Sequence, residues 1–197
     1  MASYVALLRA VNVGGTGKLP MKELKAMCEE TGFESVETYI ASGNIVVEST
    51  DSESKVKELL EKRLEDYAGK KVDVFVRSAR EMLDLLDANP YPDEPGNKVA
   101  VLFLDKKPPN DLDSKAKGVK DEEFKPAAKE VFIHYPDGLG TSKLQLDVGP
   151  GTTRNMLCLA TKPEIELVRA AGLLSLWGSG YVEPVTGPPM PYHLLAQ

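Results

Sequence analysis

The apolar segments of residues 4 to 76 change rhythm in a fixed order, and that order leaves few folds open. Residues 4–11 form a nearly continuous apolar run, as expected of a strand buried on both faces. Glycines 14, 15 and 17 break the run. Pro20 suits the first turn of a helix, because proline lacks only an N–H that has no partner there. Met21, Leu24, Met27 and Cys28 then recur at helical spacing until Gly32 ends the element. Residues 36–40 and 45–47 read as short strands around the turn-forming ASGN at 41–44. Thr50 with Glu53 matches a capping box. Val56, Leu59, Leu60, Leu64 and Tyr67 give a second helical stripe, closed by Gly69 before a strand over 72–76. The order β-α-β-β-α-β is the split βαβ, or ferredoxin-like, arrangement. Right-handed crossovers put both helices on one face of the sheet and leave the other face for a ligand or a second lobe.

The second half reads less sharply. Ser78 and Glu81 repeat the capping-box pattern, Met82, Leu85 and Leu86 carry a helical stripe, and Asn89-Pro90 stops it. The segment NPYPDEPGN at 89–97 has no periodicity and marks a lobe boundary. Strands are expected over 99–104, weakly over 122–125 and clearly over 131–135, with a short polar helix near 110–117 and a turn at 136–140. Thr152 or Thr153 caps a helix running to about residue 171, strained by Pro163. No internal repeat is visible. The expected class is α+β: a ferredoxin-like first lobe over 1–90, a smaller α+β lobe over 91–172, and a Gly/Pro-rich tail over 173–197 with little packing of its own.

Composition removes several functions. The net charge of −6 argues against a general duplex-DNA binder, which needs clustered basic charge. Two distant cysteines and two isolated histidines offer no metal-ligand spacing, so no metal site is expected and no cofactor is indicated. The apolar run at the start is too short for a signal segment and is interrupted by Arg9, and no stretch has the length of a membrane span. A soluble, cytoplasmic protein with free thiols is expected.

The glycine loop VNVGGTGKLP at 11–20 resembles a phosphate cradle but fails the P-loop pattern. Counting back from Gly17-Lys18, the first glycine falls at Asn12 and the metal-binding hydroxyl at Leu19. No G-x-G-x-x-G is present either. Two readings remain open. In one, consecutive glycines, a helix N-terminus and Lys18 hold a phosphate or carboxylate. In the other, the glycines only relieve strain in a βα connection.

YVALLRAVNVGG, LP before the first helix, TYIASGNIV, RSAREM, NPYP, GLGTSKL and TTRN occur in that order. Together they resemble the bacterial family catalogued as domain of unknown function 1697, over about residues 3 to 170. The resemblance implies a two-lobed α/β fold with a ferredoxin-like first lobe and no established activity. The family's usual pattern has glycine at Ala10, glutamine at Ala41 and tryptophan at Met156. It also has a longer helix where this chain has only QLDVGPG.

Residues matching the family's polar motifs are Arg9, Asn12, Lys18, Ser42, Asn44, Arg77, Ser142, Lys143, Thr153, Arg154 and Asn155, to which the loop adds Gly14 and Gly15. The set holds cations, amides and hydroxyls but no carboxylate or histidine. It suits an anion held by charge-assisted hydrogen bonds rather than acid–base catalysis. The expected activity is binding of a phosphorylated or other anionic small molecule in a pocket between the lobes. Several of these residues also have plain structural roles. Arg9 in an apolar strand requires a partner, Asn12 and Asn44 can satisfy turns, and Arg77 can balance Glu81. Arg154 in the first turn of a helix opposes the dipole, which favours an anion nearby. Two alternatives stand beside binding. One is an enzyme for phosphoryl or acyl transfer, although adjacent Ser142 and Lys143 point to opposite faces of a strand. The other is single-stranded nucleic-acid binding, with Tyr39 and Phe75 as the only stacking platforms.

Overall fold

The structure, a computed structural model, describes residues 1–12, 18–39 and 43–159. The expected helix beyond residue 159, Pro163, the tail over 173–197, Gly14, Gly15 and Ser42 lie outside the described residues.

The first sheet contains β1 (Ala2–Leu8), β2 (Glu34–Tyr39), β3 (Asn44–Ser49) and β4 (Val74–Ser78), in the spatial order β2-β3-β1-β4 with all neighbours antiparallel. This is the split βαβ order. Helices α1 (Met21–Glu30) and α2 (Glu53–Ala68) form the crossovers. Leu24, Met27, Cys28, Val56, Leu60 and Leu64 pack with Ala6, Leu8, Ile45, Val47 and Val74 in one apolar cluster. Helix α2 is capped by Ser52, whose hydroxyl accepts from the Lys55 amide, rather than by Thr50. Gly69 closes it in the left-handed conformation at φ +65°. Helix α3 (Ala79–Asp87) follows β4 through the Ser78–Glu81 capping box.

The second sheet contains β5 (Val99–Leu104), β6 (Glu123–Pro126), β7 (Glu130–His134) and β8 (Gly151–Asn155), in the order β6-β7-β5-β8. Helix α4 (Leu112–Lys115), a 3-10 turn at Leu139–Thr141 and helix α5 (Met156–Leu159) complete the described chain. Thr152, Thr153, Arg154 and Asn155 are therefore in a strand, not at a helix start. The β-branched threonines favour that strand, and Arg154 and Thr152 both find buried hydrogen-bond partners in it. The dipole argument for an anion at Arg154 fails because helix α5 begins only at Met156, after Arg154.

The two sheets repeat one topology. In the first, Val5 stands opposite Val46 and Arg77, and Leu7 opposite Asn44 and Phe75. In the second, Val101 stands opposite Phe132 and Arg154, and Phe103 opposite Glu130 and Thr152. Each closing strand runs directly into a helix, Ala79 after β4 and Met156 after β8. The repeat escapes the sequence because the connections differ. Helices α1 and α2 cover the first sheet, whereas the second has only four-residue α4 and a 3-10 turn at the corresponding places.

The sheet faces turned away from α1, α2 and α4 meet. Val5, Leu7, Val46 and Phe75 pack with Val99, Val101, Phe103 and Phe132 in one buried cluster, and α3 and α5 add Met82, Leu85, Met156 and Leu159 to the same cluster. This apolar contact occupies the space where the sequence reading expects a polar pocket. Phe75 is completely buried, so it offers no platform for stacked bases.

Candidate functional site

The two arginines that face the inter-sheet core do so through matched bonding. Arg77, on β4, is 2% exposed. Its Nε donates to Glu130 Oε1 at 2.5 Å, Nη1 to the Val76 carbonyl at 2.7 Å, and Nη2 to the carbonyls of Leu104 and Lys129 at 2.7 and 3.2 Å. The guanidinium lies 5.6 Å from the centre of the Phe103 ring. Arg154, on β8, is 8% exposed. Its Nε donates to Asn44 Oδ1 at 2.6 Å, Nη1 to Thr152 Oγ1 and the Thr153 carbonyl at 2.8 and 3.0 Å, and Nη2 to the Leu8 carbonyl at 2.9 Å. Each arginine thus bonds the residue before it, the end of the other sheet's first strand, and the start of the other sheet's third strand. They pin the two sheets reciprocally and share none of these partners. Arg77 balances Glu130 rather than Glu81.

Glu81 instead meets Lys129 at 2.9 Å, and Lys129 also reaches Glu53 at 3.1 Å. Burial works to raise the Glu81 carboxyl. The Lys129 ammonium and the amide and hydroxyl of Ser78 outweigh it and hold the group at about 2. Its folded value lies below the ordinary value of about 4.3. The stabilisation is therefore present above pH 4–5 and lost as pH falls toward about 2. Glu81→Gln should flatten that part of the acid-unfolding curve while also lowering stability at pH 7, as followed by circular dichroism.

A second group of the expected residues gathers where β1 ends. Arg9 lies past the strand, not within it, and is half exposed. Its Nη1 meets Asp73 at 3.0 Å, and Lys71 meets the other oxygen of that carboxylate at 3.1 Å. Burial would raise Asp73, but the Arg9 and Lys71 bonds hold it below its usual range. Two cations thus share one anion. Asn12 uses its side chain as a bracket: Nδ2 donates to the Leu19 carbonyl at 2.8 Å, and Oδ1 accepts from the Leu19 amide at 2.7 Å. Lys18, beside Leu19, is exposed. Asn44, at the start of β3, is buried and joins this end of the sheet to Arg154.

Two non-glycine residues here hold left-handed backbone, Ala10 at φ +52° and Asn12 at φ +57°. Asparagine tolerates this region and alanine does not. Ala10 is the position at which the resembled family has glycine. Ala10→Gly should relieve the strain and stabilise the chain by about 0.5–1 kcal/mol, or roughly 1–4 °C in Tm. A thermal melt checks it.

The remaining candidates lie elsewhere. Thr153 is exposed on β8 and Asn155 half-buried at its end. Ser142 donates to Glu122, and its Oγ accepts from the Leu144 amide at 3.1 Å. Its proton is directed at a carboxylate rather than at Lys143, which is exposed. Burial pushes the Cys28 thiol up to about 12, so it is a packing residue. No group of three metal-ligating side chains occurs among the described residues, and none of their helices is long and apolar enough to cross a membrane. Asp73, Lys71, Glu130 and Lys129 were not singled out by sequence. The charged run KKVD at 70–73 before a strand was the available signal for the first two.

Comparison with known proteins follows the fold. SP0830, a conserved bacterial protein from Streptococcus pneumoniae, has a solved structure that aligns with a TM-score of 0.63 at 22% identity. The alignment covers 86% of this chain and 98% of that one, and the likeness concerns the fold alone. No curated protein matches. The family model for proteins of unknown function, DUF1697, matches residues 1–132, and therefore includes Arg9, Asn12, Lys18, Asn44 and Arg77 but stops before Ser142 and Arg154. The chain accordingly belongs to the DUF1697 family, as the ordered motifs of its sequence anticipate.

Proposed function

We propose that this chain binds a small anionic ligand, a phosphate ester or carboxylate, at the end of β1 beside the glycine loop. The observation that carries the reading is the paired left-handed backbone at Ala10 and Asn12, held by the double bond of Asn12 to Leu19. Strained non-glycine backbone is retained where the surroundings over-determine it, and such places cluster at ligand sites. Arg9 and Lys71 share the Asp73 carboxylate, Glu61 and Asp105 also act on Lys71, and Lys18 is an exposed cation on the connection that follows β1. Arg9 keeps about half of its side chain open to solvent, so its donors can serve a second acceptor. Asn44 and Arg154 act beneath as support and make no ligand contact. Arg77 is structural.

Titration with inorganic phosphate and adenosine monophosphate, followed by amide NMR, tests the reading. Saturable shifts are expected at Arg9, Asn12, Lys18 and Gly43. Arg9→Ala and Lys18→Ala should each weaken binding by about tenfold, as for the loss of one charge-assisted hydrogen bond. Shifts confined to other parts of the chain, or none for either probe, would refute it.

A further inference from the structure

Between the connection at 118–122 and the turn at 135–143 lies a cleft of about 300 Å³ that the loop reading does not use. It exists because the β5–β6 and β7–β8 connections carry so little helix. Its walls are fastened. Lys117 and Gln145 exchange backbone hydrogen bonds at 2.9 and 2.8 Å. Gly118 has φ +68°, and a Cβ on it would lie 2.2 Å from the Lys143 carbonyl oxygen, so only glycine permits this approach.

The lining has two chemical ends. Asp121, Glu122 and Asp137 supply three carboxylates. Lys120 pairs with Asp137 at 2.7 Å and Asp121 at 3.2 Å, while Glu122 receives the Ser142 hydroxyl and the Lys120 amide. Lys120 bonds two of the three carboxylates and Lys98 also acts on Asp137, so this end keeps an excess of one negative charge. The second cation of the lining, Lys143, is exposed and forms no ion pair with the described residues. The phenol of Tyr135 also lines the cleft. Burial and the Glu122 charge push its pKa to about 12, so it stays a hydrogen-bond donor. The chain neighbours of this lining, Val119 and Leu139, are each 47% exposed, two of only four large apolar side chains so exposed among the described residues.

We propose that this cleft binds a small zwitterion: an ammonium group toward its carboxylate end and a carboxylate toward Lys143. An α-amino acid has this chemistry, and its size fits the volume. The inference is independent of the anion site at β1.

Amide NMR titration with L-leucine, 4-methylpentanoate and isoamylamine tests it. Leucine should give saturable shifts at millimolar concentration over 118–122 and 137–143. Each half-ligand should bind about tenfold more weakly, the factor for one lost charged hydrogen bond. Lys143→Gln, at an exposed and unpaired side chain, should weaken leucine by a similar factor and leave isoamylamine unchanged. Asp121→Asn should weaken leucine and isoamylamine and leave 4-methylpentanoate unweakened. No saturable shift with leucine in the wild-type chain, or equal binding of either half-ligand, would overturn the proposal.

Discussion

Arg77→Leu should destabilise the chain by about 3–5 kcal/mol, read as a loss of midpoint in urea unfolding at pH 7. The substitution leaves the Glu130 carboxylate buried at 7% exposure without its guanidinium. It also strips the Leu104 carbonyl of its donor and removes the contact with the Phe103 ring. The desolvation of a buried charge, not the Coulomb energy of the pair, sets the size of the effect. The double variant Arg77→Leu with Glu130→Leu separates the two. It should recover most of the loss, because two apolar groups facing each other leave no uncompensated charge. A double variant as unstable as the single one would mean that the carbonyl bonds, rather than the orphaned carboxylate, dominate.

Phe75→Ala should cost a similar amount, about 3–5 kcal/mol. The ring is completely buried on the face of the first sheet that meets the second. Close packing from both sheets limits collapse around the vacated volume, so the cavity term adds to the lost transfer energy. Phe75→Leu keeps most of the volume and should cost far less, under about 2 kcal/mol. Equal effects for the two variants, or a loss below about 1 kcal/mol for alanine, would show that the ring does not sit in a closely packed inter-sheet core.

Local chemistry made the first sheet legible. Gly32 and Gly69 end helices, the Ser78–Glu81 box starts one, and the apolar periodicities of α1 and α2 mark the faces that pack. Strand ends were off by a few residues because polar residues such as Glu34 and Ser78 join strands through backbone pairing, to which hydrophobic pattern is blind. TTRN misled for a specific reason. A threonine before an apolar stretch reads as a helix cap, and only the pairing with β5 makes it a strand. Residue type could be read from the sequence, but which of the candidate residues come together could not. Arg77 and Arg154 carry the same chemistry as Arg9, yet both spend their donors on partners 53 and 110 residues away, distances over which a sequence shows no coupling. The structural repeat was hidden because register, not residue identity, is what the two sheets share: Asn44 in one matches Glu130 in the other.

The central claim is that the two sheets form one cooperative body clasped by reciprocal arginines. Native-state hydrogen exchange of the β1 and β5 amides tests it most directly. The account predicts equal opening free energies for Val5 and Val101 in the wild-type chain, and a parallel fall of both in Arg77→Leu. Exchange of one sheet at a free energy well below the other, with Arg77→Leu lowering only one of them, would contradict it.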